Sequence, residues 1–81
     1  MMIHIRIDSM KAAEELSNIC RQFPQELFLR ADAYCIDPKS TLGILAIMYS
    51  ARDKIYLDTG DMEAEGLSRF SEAIAAFRAE Q

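Results

Sequence analysis

Three short stretches of this chain alternate between two sets of side chains, the first strictly apolar against polar, and a backbone so patterned must find sheet partners. Ile3-His4-Ile5-Arg6-Ile7, Glu26-Leu27-Phe28-Leu29-Arg30 and Lys54-Ile55-Tyr56-Leu57-Asp58 each send one set of side chains to one face and the rest to the other, the period of a half-buried strand. Tyr34-Cys35-Ile36 follows the second stretch after a turn near residues 31–33 and reads as its short hairpin partner. The first strand is predicted over residues 2–8 and the second over Glu26 to Arg30, with Ile3, Leu27, Ile55 and Leu57 facing inward.

Helical spacing fills the intervals. Asp8 and Ser9 offer N-cap oxygens for a helix whose Ala12, Ala13, Leu16, Ile19, Cys20 and Phe23 recur on one side until Pro24 stops it. At Asp37-Pro38-Lys39-Ser40 a strand gives way to an apolar helix running to about Tyr49. Either Asp37 caps it with Pro38 at the first helical position, or Ser40 is the cap and the helix begins later. Arg52-Asp53 breaks the pattern. Gly60-Asp61 opens the last helix, with Asp61 as cap, Glu63 and Glu65 near its positive end, and Leu67, Phe70, Ile74 and Phe77 as its stripe.

The order is thus β-α-β-β-α-β-α, an α+β chain. Strands with one apolar face need one layer of cover, so residues 1–81 are expected to form a single two-layer, open-faced sandwich: a four-stranded antiparallel sheet with three helices on one face. Eighty-one residues, 51% of them hydrophobic, suffice for one modest core. A formal net charge of −4 argues against nucleic-acid or anionic-membrane partners. No apolar run reaches the ~20 residues a membrane span needs, and no signal peptide is visible, so a cytoplasmic protein is expected. Cys20 and Cys35 lack ligand spacing and are expected as buried free thiols.

Lys39-Ser40-Thr41-Leu42-Gly43-Ile44-Leu45 resembles the Lys-Ser-Ile-x-Gly-hydrophobic run of HPr, the phosphocarrier of the bacterial sugar phosphotransferase system, particularly its Gram-positive form. Phe23, the second strand and the turn near Asp32 keep the family's spacing to the Lys-Ser pair. Ile55 to Asp58, the Gly60-Asp61 turn and the closing helix follow in the family's order. The resemblance implies strand order 1-4-2-3 and a function carried by contact with other proteins.

In HPr the phosphoryl group rides on a histidine opening the first helix, in a His-x-Arg-Pro-Ala pattern. Imidazole suits that task because a ring nitrogen is a good nucleophile. The matching positions here read Ser9-Met10-Lys11-Ala12-Ala13, with Asp8 the alternative occupant one residue earlier. His4 is the chain's only histidine, and it lies inside the first strand, roughly 13–17 Å from the helix start at ~3.3 Å per residue. A serine phosphate is a stable ester. The expectation is a domain that has lost phosphocarrier chemistry, with Ser9 and Lys11 as a degenerate carrier position.

Ser40 is the second candidate. The resemblance implies phosphorylation there by an HPr kinase and recognition by a transcriptional regulator, as in the catabolite-repression homologue that also lacks the histidine. Lys39, Thr41, Ile44 and Met48 are candidates for partner contact, although Thr41 stands where the family usually has an apolar residue. The runner-up is a divergent phosphocarrier. A third expectation is a homodimer formed through Phe28, Tyr34 and Tyr56 on the open sheet face, beside His4. One His and two separated Cys make no metal set, and no Ser-His-Asp spacing is present, so no cofactor, metal or independent catalysis is expected.

Overall fold

The computed structural model describes residues 1–50 and 54–79. Its elements are β1 (Met2–Ile5), α1 (Met10–Arg21), β2 (Phe28–Ala31), β3 (Tyr34–Ile36), α2 (Thr41–Ser50), β4 (Ile55–Asp58), α3 (Ala64–Ala73) and a closing 3₁₀ turn (Ala75–Phe77). The strands pair antiparallel in the order β1-β4-β2-β3.

The alternation resolves into rows that cross the sheet. Ile3, Leu57, Leu29 and Ile36 stand opposite one another from strand to strand, on the side the helices cover. His4, Tyr56, Arg30 and Cys35 form the neighbouring row on the open side. Because side chains alternate with period two, a slip of one residue would exchange the rows and expose the core. The helices close over the first row with Ala13, Leu16, Cys20, Ile44, Ile47, Phe70 and Ile74, all buried. Gly43 lets α2 lie close on β3, since a Cβ there would come within 2.8 Å of Ile36 Cδ1.

Several boundaries differ from the sequence reading, each for a local reason. The β1–β4 ladder ends at Ile5 opposite Ile55, and the Arg6 amide donates instead to Phe77 O (2.8 Å). β2 begins at Phe28 and extends to Ala31, and Asp32 makes the hairpin turn in the left-handed region (φ 52°), which Asp tolerates better than most residues.

Pro38 does not start α2. The Asp37 carboxylate accepts from the Lys39 amide (2.9 Å) and the Asp37 carbonyl from the Ser40 amide (3.1 Å), so these residues form a turn with Pro38 buried within it. Capping passes to Ser40, whose Oγ accepts from the Gly43 amide (3.2 Å). Gly60 is left-handed (φ 60°) and the Met62 amide donates to Thr59 O, a turn that delays α3 to Ala64 and leaves Asp61 outside it. Phe77 lies in the separate 3₁₀ turn. Arg52 and Asp53 fall outside the described residues.

Cys35 also departs from expectation. It stands opposite Arg30 on the open side and is exposed, while Cys20 is buried.

Leu29 sits in the central row with no exposed surface. Leu29→Ala is expected to cost about 2–5 kcal/mol, read as a lowered midpoint in urea unfolding with an unchanged slope.

Candidate functional site

α1 and α2 run antiparallel, which sets two candidate positions at opposite ends of one helix pair. Met10 shares a concavity with Met48 and Tyr49, while Ser17 and Arg21 meet Thr41 at the start of α2.

At the first end Ser9 is an N-cap. Its Oγ accepts from the Ala12 amide at 3.0 Å and its carbonyl from the Ala13 amide at 3.0 Å. The concavity beside it measures about 340 Å³ and is lined by Arg6, Ile7, Asp8, Ser9, Met10, Met48 and Tyr49. It holds one cation and one carboxylate. Lys11 is exposed and lies outside this lining. His4 is elsewhere: it stacks on Tyr56 (centroids 4.9 Å apart, planes at 26°) on the sheet face turned away from the helices. What remains at the helix start is a hydroxyl engaged in capping, with no imidazole in the lining.

At the second end a polar junction ties α1 to α2. The Arg21 guanidinium donates from Nε to Lys39 O (3.0 Å), from Nη1 to Asn18 Oδ1 (2.9 Å), and from Nη2 to Ser17 Oγ (2.5 Å) and Thr41 Oγ1 (3.1 Å). Thr41 donates its hydroxyl to Ser17 Oγ at 2.9 Å, and Ser17 is buried. The Lys39 amine reaches Gln25 O at 3.0 Å. Ser40 is exposed between the two residues that Arg21 holds. Sequence reasoning missed Arg21. Its one local signal was a basic residue in the last turn of a helix.

The partner-contact candidates divide. Lys39 and Thr41 are half-buried and committed to this junction. Ile44 belongs to the core and Met48 is buried at 8% exposure, so neither offers a side chain to a partner as expected. Helical spacing explains the correction: residues 44, 47 and 48 face inward, and the outward stripe carries Leu42 (79% exposed) and Tyr49 (68%), with half-buried Leu45 between them. Met10 (56%) extends this apolar surface onto α1.

On the open sheet face Phe28 and Tyr56 stand where expected, half-buried. Tyr34 does not join them. It pairs with Ala31, a core residue, so it projects on the helix side at the end of the hairpin. Arg30 bridges the face, with Nε 2.8 Å from Asp58 Oδ2 and the guanidinium carbon 5.3 Å from the Phe28 ring centroid. The Gly60 amide, and then Arg30, hold the Asp58 carboxyl below its usual range. Burial pushes the Cys20 thiol up to about 12, with Lys39 opposing the shift.

No protein-family model and no curated protein matches the chain. Among solved structures, it is similar to the crystal structure of HPr-C-His from Thermoanaerobacter tengcongensis, with a TM-score of 0.69 and 20% sequence identity over 94% of this chain and 90% of that one. The architecture is therefore an HPr-like open-faced sandwich. No helix among the described residues is long and apolar enough to cross a membrane.

Two outcomes follow from these environments. A thiol reagent at neutral pH is expected to label Cys35 rapidly and Cys20 only after unfolding, the neutral buried thiol being a poor nucleophile. Asp58 has a depressed folded pKa, so its contribution is present above the unfolded carboxyl value and is lost as pH falls through the folded one. Asp58→Asn is accordingly expected to lower the melting temperature at neutral pH. The gap from the parent should narrow below about pH 4, as followed by circular dichroism, and shrink with added salt.

Proposed function

We propose that this HPr-like domain works by protein contact, does not relay phosphoryl groups, and is switched by phosphorylation of Ser40. The observation that carries the first part is the start of α1. Ser9 Oγ is bound to the Ala12 amide there, and the chain's histidine is on the other side of the sheet. A phosphoryl group on serine would be an ester with little tendency to move on, whereas imidazole forms a transferable phosphoramidate.

The second part draws support from the junction at α2. A guanidinium beside the positive end of a helix is not stabilising by itself, whereas an anion there is. Phosphorylation of Ser40 would add close to two negative charges at that end, beside the residues Arg21 already grips. In that step Ser40 Oγ takes the γ-phosphoryl group of ATP, ADP leaves, and the hydroxyl proton passes to the kinase. Thr41, the departure from the family pattern, has its own account: its hydroxyl completes the contacts among Ser17, Arg21 and Lys39. The contact surface for a kinase or a transcriptional regulator is the apolar stripe of Leu42, Leu45 and Tyr49 with Met10.

Incubation with enzyme I and phosphoenolpyruvate, and separately with HPr kinase and ATP, tests both parts by mass analysis of the peptides holding His4, Ser9 and Ser40. The expected result is acid-stable phosphate on Ser40 from the second reaction and none from the first. Acid-labile phosphate on His4 would establish the alternative, a divergent phosphocarrier. An unlabelled Ser40 would remove the switch.

A further inference from the structure

A serine and a threonine stand side by side at the start of α2, and their hydroxyls are not equally free to react. Ser40 is exposed. Its Oγ accepts from the Gly43 amide at 3.2 Å, which leaves the hydroxyl hydrogen without an acceptor among the described residues. Thr41 is half-buried, and its Oγ1 is engaged in both senses, donating to Ser17 Oγ at 2.9 Å and accepting from Arg21 Nη2 at 3.1 Å. The partners of Thr41 are themselves fixed. Ser17 is buried and donates to Lys39 O at 3.4 Å, and Arg21 Nε donates to the same carbonyl at 3.0 Å. The hydroxyl hydrogens therefore run one way, from Thr41 to Ser17 to the Lys39 carbonyl, with Arg21 donating to each of the three oxygens.

We infer that Arg21 and Ser17 are specificity-determining residues for the modification proposed at Ser40: by holding the Thr41 hydroxyl they confine the phosphoryl group to its neighbour. This rests on the switch proposed above and adds what selects between two adjacent acceptors.

To receive the γ-phosphoryl group of ATP, a hydroxyl oxygen must turn a lone pair to phosphorus and pass its proton to a base of the kinase as ADP leaves. Ser40 has its hydrogen and one lone pair available at the surface. Thr41 would have to withdraw its hydrogen from a buried oxygen and its lone pair from a guanidinium. Hydrogen bonds to a charged group are among the stronger ones a side chain makes, so the second acceptor is disfavoured before any kinase arrives.

The test uses the full chain carrying Ser40→Ala and Thr41→Ser, so that position 41 presents the same type of hydroxyl that position 40 has lost. HPr kinase and ATP are applied to this variant and to the same variant with Ser17→Ala and Arg21→Gln added, or with Arg21→Gln alone should the larger set not fold. Mass analysis is expected to find position 41 unlabelled while Arg21 and Ser17 are intact, and labelled at least about tenfold more once they are replaced. A second readout needs no kinase. In the parent, nuclear magnetic resonance is expected to show the Thr41 hydroxyl proton exchanging with water at least about tenfold more slowly than that of Ser40, a difference that Arg21→Gln removes. Label at position 41 with the junction intact, no gain when it is dismantled, or equal exchange of the two hydroxyls would overturn the inference. An unlabelled Ser40 in the parent would overturn the switch itself, a separate result because the exchange rates do not depend on it.

Discussion

The row of Ile3, Leu57, Leu29 and Ile36 across four strands sets which face of the sheet is covered and which is open. It gives the helices an apolar surface to cover, and by parity it turns His4, Tyr56, Arg30 and Cys35 to the other side. The position of His4 is thus a consequence of packing. To bring its imidazole round to the helices by a register shift, β1 would have to withdraw Ile3 and Ile5 from the core. Each such removal costs about 1.5–3 kcal/mol of burial.

A second ordering principle acts where that row offers none, at the junction of α1 and α2. Helix ends leave backbone groups without intrahelical partners, and here Ser40 Oγ serves the Gly43 amide while Arg21 gathers the preceding carbonyl, the Thr41 hydroxyl and buried Ser17. Ser17 could not be buried at low cost without these partners. Arg21, Ser17 and Thr41 therefore form a set. The same set brings a fixed cation to the start of α2, where the proposed phosphate would sit.

The two helix starts contrast in chemistry although both are capped by serine. At Ser9 the neighbouring side chains include apolar Met10, Met48 and Tyr49 together with one cation, Arg6, and one carboxylate, Asp8. At Ser40 the Arg21 guanidinium holds the residues on either side, while Asp37 accepts from the Ser40 amide through its carbonyl. The exposed Leu42 and Tyr49 lie on the helix that the second serine opens, where the switch proposed above would act.

The elements, their order and the covered face were legible in the sequence, because period two and period 3.6 are local properties that survive any arrangement of neighbours. So was the lack of a histidine at the start of α1. Element boundaries were less legible. Asp37 and Pro38 carry the signals of a helix start and of a turn alike, and the turn is what the Lys39 and Ser40 amides close on Asp37. That Tyr34 shares a face with Ala31, that Ile44 and Met48 turn inward, that Arg21 reaches across to Thr41, and that Arg78 bridges to Ile5 emerge from the packed chain alone. These depend on register and on contacts between residues far apart in the chain, and no pattern within a single segment encodes which distant partner its polar groups will meet.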